Sequence, residues 1–374
     1  MQAADLIPLW QDLVRDCAAR GERIRIHGGG SKSPWWPPVE QSGADGAEHT
    51  LDTSALTGIV NYEPTELVVT ARAGTPIAEI DAALAAHGQY LPFEPPHFVR
   101  DGAGATVGGM VAAGLSGPAR IAVGGVRDYV LGASLLNGKG ESLRFGGEVM
   151  KNVAGFDVSR LLCGSLGSLG VILDVSLKVL PLPPAEATLR FAVTQDDAIT
   201  RCNTWAGQPL PLNASAWIPD RNDPGGGMLM LRLRGARAAV DAARRRLGGE
   251  LLPDADGAAF WQGLREQTLR WFAPTWPGDS QAALWRLSLP PTVPALDLPG
   301  TQLVEWFGGL RWLISAAPAP LVRDAARQAG GHATRFRGGD TAVPAFVTPL
   351  APLDRIQRQV KAAFDPHGVF PALF

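Results

Sequence analysis

Three glycine-rich segments have the composition to bind a phosphate or a flat ring. They are His27–Ser33, which reads HGGGSKS, residues 104–118, which contain five glycines, and residues 161–173. Successive backbone N–H groups without a Cβ can surround a phosphate, and the second segment suits the close approach of a backbone or a flat ligand. Each segment alone is also explained as a tight turn or as close packing. Together, within residues 1–183, they favour one long, anionic, partly flat ligand, and a dinucleotide such as FAD has that shape.

Helices and strands predicted from apolar periodicity would bring these segments together. A helix over 3–20 precedes a strand over 23–27, which leads directly into the first glycine segment. Thr75 is predicted as the N-cap of a helix that ends at His87. Further strands are predicted over 58–62, 66–72, 129–136, 141–145 and 171–180.

The proline cluster at residues 181–184 predicts a domain boundary, because the pattern of predicted strands and helices changes after it. A mixture of single strands and helices predicts an α+β domain up to about residue 345, followed by a last helix over 352–364. The predicted strands are 188–193, 228–234, 283–289, 310–315 and 333–337, and the predicted helices are 196–206, 236–247, 257–270 and 320–329.

Composition and charge exclude several classes of function. The formal net charge is −2, with no long basic run, so nucleic acid is not expected as the main partner. The three cysteines lack metal-ligand spacing, which argues against a cysteine-ligated cluster in this chain, a disulfide framework or another metal site. No apolar run approaches 18 residues and the N-terminal segment is not a signal peptide, so a cytoplasmic location is expected.

Four longer motifs resemble a known flavoprotein family. Residues 58–76 resemble the p-cresol methylhydroxylase-type (PCMH-type) FAD-binding domain of the vanillyl-alcohol oxidase superfamily. Residues 91–98 (LPFEPPHF), 114–118 together with 126–132, and 149–161 (VMKNVAGFDVSRL) are similar more specifically to the FAD-binding subunits of glycolate oxidase, the GlcE family. These matches cover roughly residues 23–183, whereas the resemblance beyond 183 rests mainly on length and on the last helix.

The resemblance implies an α+β architecture in three parts. These are a two-part PCMH-type FAD-binding domain (1–183), a smaller α+β cap domain over the isoalloxazine (184–345), and a C-terminal helix and tail that return toward the first domain (346–374). Non-covalent FAD is implied because Ser31 stands where some members carry a flavin-linking histidine. The loop of residues 28–33 is implied to hold the pyrophosphate, through Gly28, Gly29, Gly30, Ser31 and Lys32 among others. Those implied to line the ribityl and flavin part are Pro95, Thr106, Gly108, Gly109 and Ser116, and those near adenine are Gly170 and Ile172. His27 and Gly114 are further implied cofactor contacts.

Two departures from the family pattern bear on these contacts. His27 stands where the family often has arginine. The tail reads FPALF over 370–374 instead of the common Asn-Pro-Gly-Arg, which leaves a flavin contact from the tail open.

The function implied by the resemblance is that of an FAD-binding subunit in a glycolate (2-hydroxy acid) oxidase or dehydrogenase complex. Glycolate would be oxidised to glyoxylate, with electrons passing through flavin and an iron–sulfur subunit to a quinone-type acceptor. A catalytic FAD subunit would be a second partner, and any membrane association would be peripheral, through the complex at the inner face. A non-catalytic assembly subunit and a self-sufficient oxidase are the alternatives, whereas the motifs argue against a molybdenum hydroxylase subunit.

Catalysis by this chain would depend on residues of the cap domain. Oxidising a 2-hydroxy acid needs a cation for the carboxylate and a base near the hydroxyl. Weak candidates are Arg311, Arg335 and His332, the cap domain's single histidine, and each is also explained as a solvated surface residue. Arg286 and Arg337 are further cations. The His-x-His-type cluster of related catalytic subunits is not found here, which favours the assembly alternative.

Two further groups of residues have open interpretations. Lys151 and Asp157 are either an acid–base pair or part of a structural network with Asn152 and Arg160. Six tryptophans would form either a partner surface or, in the favoured interpretation, ordinary core. They are Trp261, Trp271, Trp276, Trp285, Trp306 and Trp312.

Overall fold

The computed structural model describes residues 3–32, 48–99, 102, 104–147, 157–220, 223, 225–275, 282–340 and 342–373. Its α-helices are α1 (Ala3–Arg20), α2 (Ile77–Ala85), α3 (Val107–Ala113), α4 (Arg120–Val123), α5 (Val158–Leu161), α6 (Gln195–Ala206), α7 (Arg237–Leu247), α8 (Asp254–Arg265), α9 (Ala319–Gln328) and α10 (Leu353–Phe364). Within these ranges, no helix combines the length and the apolar composition needed to cross a membrane.

Seventeen strands are found in the same ranges. They are β1 (Arg23–His27), β2 (Glu48–Asp52), β3 (Ile59–Glu63), β4 (Val68–Arg72), β5 (Gln89–Tyr90), β6 (Val130–Leu136), β7 (Ser142–Gly146), β8 (Val171–Lys178), β9 (Leu180–Pro181), β10 (Ala185–Ala192), β11 (Leu212–Pro219), β12 (Gly227–Gly235), β13 (Glu250–Leu251), β14 (Ala283–Ser288), β15 (Thr301–Glu305), β16 (Leu310–Ser315) and β17 (His332–Gly338).

The first half of the chain combines a small parallel pair with an antiparallel sheet. β1 and β2 pair in parallel, and the antiparallel sheet has the spatial order β3-β4-β8-β6-β7. α1 packs on β1 because Leu6, Trp10, Val14 and Cys17 recur at helical spacing and are all buried. α2 and α3 pack against the five-stranded sheet. The glycine segment therefore begins at the end of a strand that is held from one side by α1.

Residues 185–338 form an antiparallel sheet of eight strands, in the order β13-β10-β12-β11-β15-β16-β14-β17. The α+β mixture predicted for this region is confirmed, and the sheet also contains two central strands, β11 and β15, that the sequence does not predict. Core packing is confirmed for five tryptophans, each at most 7% exposed, whereas Trp276 lies outside the described residues. The five are Trp261, Trp271, Trp285, Trp306 and Trp312.

Buried polar contacts tie the two halves together. Glu94, in the loop after β5, accepts hydrogen bonds from Arg232 Nη2 at 2.7 Å and from Arg234 Nη1 at 3.1 Å, both on β12. The indole Nε1 of Trp306, which follows β15, donates to the carbonyl oxygen of Gly117 at 3.1 Å. These contacts fix the eight-stranded sheet against the loops of the first half.

The last helix packs against the first half of the chain. Val360 and Phe364 of α10 contact the core of the five-stranded sheet. Lys361 Nζ donates to the carbonyl oxygen of Ser168 at 2.8 Å, and the amide of Ile24 in β1 donates to the carbonyl oxygen of Val369 at 2.8 Å. The segment after α10 thus supports the strand that leads into the glycine loop.

Candidate active site

A cavity of about 310 Å³, the size of a small-molecule site, opens between the two halves. Three groups of residues form most of its wall. The first is the end of β1 and the loop after it, residues 25–32. The second comes from the start and one side of α3, and the third from β14 and β17. The second group is Thr106, the N-cap of α3, with Gly109, Ala112 and Ala113 of the helix. The third group is Arg286, Thr334, Arg335 and Phe336 of the sheet.

The loop after β1 is shaped as a cradle that only glycine allows. A Cβ on Gly29 would lie 1.9 Å from the carbonyl oxygen of Gly104, and one on Gly28 would lie 3.0 Å from Thr106 Oγ1. In the described part of the chain, the amides of Gly28, Gly29, Ser31 and Lys32 donate to no acceptor. Such a row of available amides suits the oxygens of a phosphate.

The electrostatics of the cavity also favour an anion. Arg25, Lys32, Arg286 and Arg335 line it, and its described lining contains no carboxylate. Lys32 Nζ donates to Ser31 Oγ at 3.1 Å. Burial lowers the pKa of Lys32 to about 8, an effect that the negative charge of Glu266 partly opposes. A ligand phosphate beside Lys32 would return its ammonium to the charged form.

Helix α3 supplies a wall of small residues. Thr106 is its N-cap, and Thr106 Oγ1 accepts the amide of Gly109 at 3.3 Å. Gly109, Ala112 and Ala113 line the cavity one turn apart. A wall without long side chains leaves room for a planar ring. Together with the amide cradle and the cationic lining, it fits two chemically different parts of FAD, the pyrophosphate and the flavin ring.

The structure brings together only some of the residues implied to contact FAD. His27, Gly28, Gly29, Gly30, Ser31, Lys32, Thr106 and Gly109 line the cavity. Pro95, Gly108, Gly114, Ser116, Gly170 and Ile172 do not line it. Two of these six show why glycine stands there: a Cβ on Gly108 would lie 2.7 Å from Ala73 Cβ, and one on Gly170 would lie 2.4 Å from the carbonyl oxygen of Leu136.

The three candidate catalytic residues have different positions. The guanidinium of Arg311 is fully buried and donates to the carbonyl oxygens of Gly308, Val293 and Pro294, so it braces loops away from the cavity. His332 is exposed at the start of β17 and does not line the cavity.

Arg335 does line the cavity, but two of its guanidinium nitrogens donate to carbonyl oxygens, Nε to Val343 and Nη1 to Gly338, each at 3.0 Å. Lys151 and Asn152 lie outside the described residues. Asp157 is the N-cap of α5 and pairs with Arg160 at 3.0 Å, which supports the structural interpretation.

Sequence reasoning missed a second, smaller cavity of about 30 Å³ beside the first. Arg286, Leu115 and Phe336 line both cavities, so the two adjoin. Glu305 and Trp312 also line the smaller one. No sequence signal joins Arg286 to Glu305, because β15, β16 and β14 become neighbours only through the order of the sheet.

Fold and cavity together define an FAD-binding protein, and comparisons with known proteins agree. Residues 10–146 match the family described as FAD binding domain. The chain is 50% identical to glycolate oxidase subunit GlcE of Escherichia coli (strain K12) over 321 residues, which is 86% of this chain and 85% of that protein. The chain belongs to the GlcE family of glycolate oxidase subunits.

Other similarities are shorter or more distant. Glycolate oxidase subunit GlcD of Bacillus subtilis (strain 168) is 30% identical over 140 residues, 37% of this chain and 29% of that protein. Among solved structures, alkyldihydroxyacetonephosphate synthase is similar with a TM-score of 0.68 and 15% identity, covering 96% of this chain and 73% of that one. At that identity the likeness shows the fold alone, which confirms the expected PCMH-type architecture.

Proposed function

We propose that this chain is the FAD-binding subunit of a complex that oxidises glycolate, or another 2-hydroxy acid, to the 2-oxo acid. The observation that carries the proposal is the cationic cavity with its amide cradle, found in a chain that is 50% identical to a glycolate oxidase subunit. Bound FAD would accept two electrons as a hydride and pass them on one at a time.

Residues of the larger cavity would hold the cofactor without a covalent bond. The amides of Gly28, Gly29, Ser31 and Lys32 and the ammonium of Lys32 would bind the pyrophosphate. The small residues of α3 would lie along the flavin ring. Ser31 is 6% exposed and lies in the cavity, and it stands where some members of the family carry a flavin-linking histidine, which supports non-covalent binding. Gly108, Gly114, Ser116, Pro95, Gly170 and Ile172 would support the loops around this site.

The proposed partners are a catalytic FAD subunit and an iron–sulfur subunit, with a quinone-type acceptor beyond them. The positions of the cysteines support a cluster in another chain. Cys17 and Cys202 are buried in different cores, and Cys163 belongs to a third. No two of them can share a cluster. The proposed location is the cytoplasm, at the inner face of the membrane when the complex assembles there.

The test begins with the purified chain and its visible spectrum. We expect a flavin spectrum, release of all the flavin into the supernatant when the protein is precipitated with acid, and bleaching by glycolate in the reconstituted complex without oxygen. Flavin that stays with the precipitate would contradict the non-covalent assignment. A chain that binds no FAD after reconstitution would overturn the proposed function.

A further inference from the structure

Arg286 has its guanidinium placed between the two cavities, and the carboxyl of Glu305 acts on its charge. It lies in the middle of β14 and lines both cavities. In the described part of the chain, no carbonyl or carboxylate oxygen accepts a hydrogen bond from it. Burial, together with the positive charge of Arg120, lowers the pKa of Arg286 to about 10, which still leaves it charged at neutral pH. The side chain is half-buried, so a ligand entering either cavity can reach its N–H groups, and a ligand carboxylate would offset the cost of desolvating the charge.

The neighbouring ring holds the guanidinium but satisfies none of its N–H groups. The Arg286 guanidinium lies 5.3 Å from the centre of the Trp306 ring, and Arg120 stacks on the same ring at 4.6 Å. A stacked guanidinium keeps its N–H donors directed along its own edge, where they match the two oxygens of a carboxylate.

The Trp306 ring lies in a strained turn that hydrogen bonds hold in place. Trp306 and Phe307 have φ values of +53° and +56°, a left-handed conformation that costs bulky residues energy. The turn is held by the Phe307 amide, which donates to Ser215 Oγ at 2.8 Å, and by the indole of Trp306. The hydrogen bonds that hold this strained turn between β15 and β16 also keep the Trp306 ring beside Arg286.

Glu305 supplies the second group that a 2-hydroxy acid would need. It lines the smaller cavity, and its Oε1 accepts the indole N–H of Trp312 at 2.6 Å, while Oε2 has no partner in the described residues. Burial raises the pKa of Glu305 to about 7, and Glu94 adds to the rise, whereas Trp312 and Arg286 oppose it. Arg265 of α8 also faces this cavity. A carboxyl poised near neutral pH suits proton transfer.

We propose that the junction of the two cavities is a binding site for a small 2-hydroxy acid, in which Arg286 binds the carboxylate and Glu305 accepts the hydroxyl proton. The assignment rests on the proposed function and places substrate chemistry in this chain, against a purely assembling role. In the reaction the O–H bond breaks and its proton goes to Glu305. The C2–H bond would break with its hydrogen leaving as a hydride, for which bound oxidised FAD would supply the acceptor, and the C–O bond would become a carbonyl.

The first experiment measures binding of oxalate, which carries the carboxylate but has no hydrogen to lose as hydride. Isothermal titration of the FAD-loaded chain should show one site. Arg286→Met should weaken binding at least tenfold, and Arg286→Lys should weaken it less because the charge remains. The matched control is Arg120→Met, which removes a guanidinium from the same ring outside the cavities and should change binding less than threefold.

The second experiment separates binding from proton transfer. Glu305→Gln should bind oxalate as tightly as the original chain, yet glycolate should reduce its flavin at least a hundredfold more slowly. Each variant is compared by FAD content and melting temperature, so that misfolding is recognised. Equal rates of flavin reduction by glycolate in Glu305→Gln and the original chain would overturn the role of Glu305.

Three outcomes would overturn the site itself. They are a FAD-loaded chain that does not bind oxalate, an Arg286→Met variant that binds it normally, and an Arg286→Met variant that loses FAD while oxalate binding persists. The last result would mean that the guanidinium serves the cofactor. Loss of FAD binding by the unaltered chain is different, because it would refute the proposed function and not only this site.

Discussion

Lys32 shows how one side chain can couple the cofactor site to pH. Lys32 is half-buried and lines the 310 Å³ cavity, with its ammonium 5.9 Å from the centre of the Phe98 ring. The depressed pKa, about 8, reflects mainly the loss of water around the charge. An anion bound next to it would raise that pKa, so binding and protonation favour each other.

Replacing Lys32 by Met should therefore weaken FAD binding about 10- to 100-fold, since a hydrogen bond to a charged group contributes about 1.5–3 kcal/mol. In the original chain FAD affinity should be constant below pH 8 and fall as the pH rises above it, because the free chain loses the proton first. Equilibrium titration with FAD measures both effects. Lys139→Met, at an exposed hairpin position, is the control, and an equal loss there would contradict the assignment.

Gly29 gives a steric prediction at the same scale. Gly29→Ala should abolish measurable FAD binding, because the new Cβ would lie 1.9 Å from the Gly104 carbonyl oxygen and would force the cradle open. Gly207→Ala is the matched control, since its nearest neighbour would be 3.7 Å away. Absorbance of bound flavin after gel filtration measures the difference. Retention of FAD by Gly29→Ala would show that the loop does not form the site.

At the scale of elements, the buried ion pairs of Glu94 join the loop after β5 to β12. Glu94 is 8% exposed, and besides Arg232 and Arg234 it accepts the amide of Ala119 at 3.1 Å. Burial alone would raise the pKa of Glu94, but the two guanidinium groups and the amide together hold it below its ordinary value. The loop that borders the smaller cavity is thereby fixed to the eight-stranded sheet.

Glu94→Gln should lower the free energy of unfolding by about 3–5 kcal/mol, because it leaves two buried guanidinium groups without their anion. Glu250→Gln removes an exposed partner of Arg190 and should cost less than about 1 kcal/mol. Urea unfolding compares the two. In the original chain this stabilisation should be complete above the unfolded pKa, near 4.3, and should be lost as the pH falls toward the lower folded value. Equal effects of the two variants would contradict this.

At the scale of the whole molecule, the segment after α10 closes the first half of the chain. Asp365 is 3% exposed, and its carboxylate accepts the amides of Val369 at 2.9 Å and Phe370 at 2.8 Å. Lys361 Nζ bonds the same carboxylate and the carbonyl oxygen of Phe370. This network places Val369 and Phe370 in the core formed by α1 and β1.

Asp365→Ala should cost about 2–5 kcal/mol of unfolding free energy, since two buried amides and an ammonium lose their acceptor. Asp354→Ala on the same helix removes an exposed pair with Arg358 and should cost less than about 1 kcal/mol. Thermal unfolding followed by circular dichroism measures both. If the two variants melted together, the segment after α10 would not support the first half as described.

Elements with a regular apolar periodicity could be predicted from the sequence, whereas strands without a clear periodicity could not. α1, β1 and the β6–β7 hairpin follow from apolar spacing and from glycine turns. β15 is only five residues long and follows Gly300, and β11 lies between prolines, so neither shows a clear strand pattern.

One predicted helix cap is wrong because a distant partner competes for the side chain. The sequence predicted Thr75 as the N-cap of α2, but the Thr75 hydroxyl accepts the amide of Gly58 at 2.9 Å instead, and the helix begins only at Ile77. The glycine cradle could be predicted because its amides are adjacent in sequence. Arg286 and Glu305 could not be paired in advance, since sheet order alone makes them neighbours.

The hydrogen bond between the Ile24 amide and the Val369 carbonyl has a consequence for biosynthesis. Ribosomes deliver the strand before the glycine cradle early, and the residues that cover it late. Until then β1 has an unsatisfied amide and an incomplete core. We therefore expect nascent chains arrested before residue 360 to retain no FAD, which makes cofactor loading an event that follows translation.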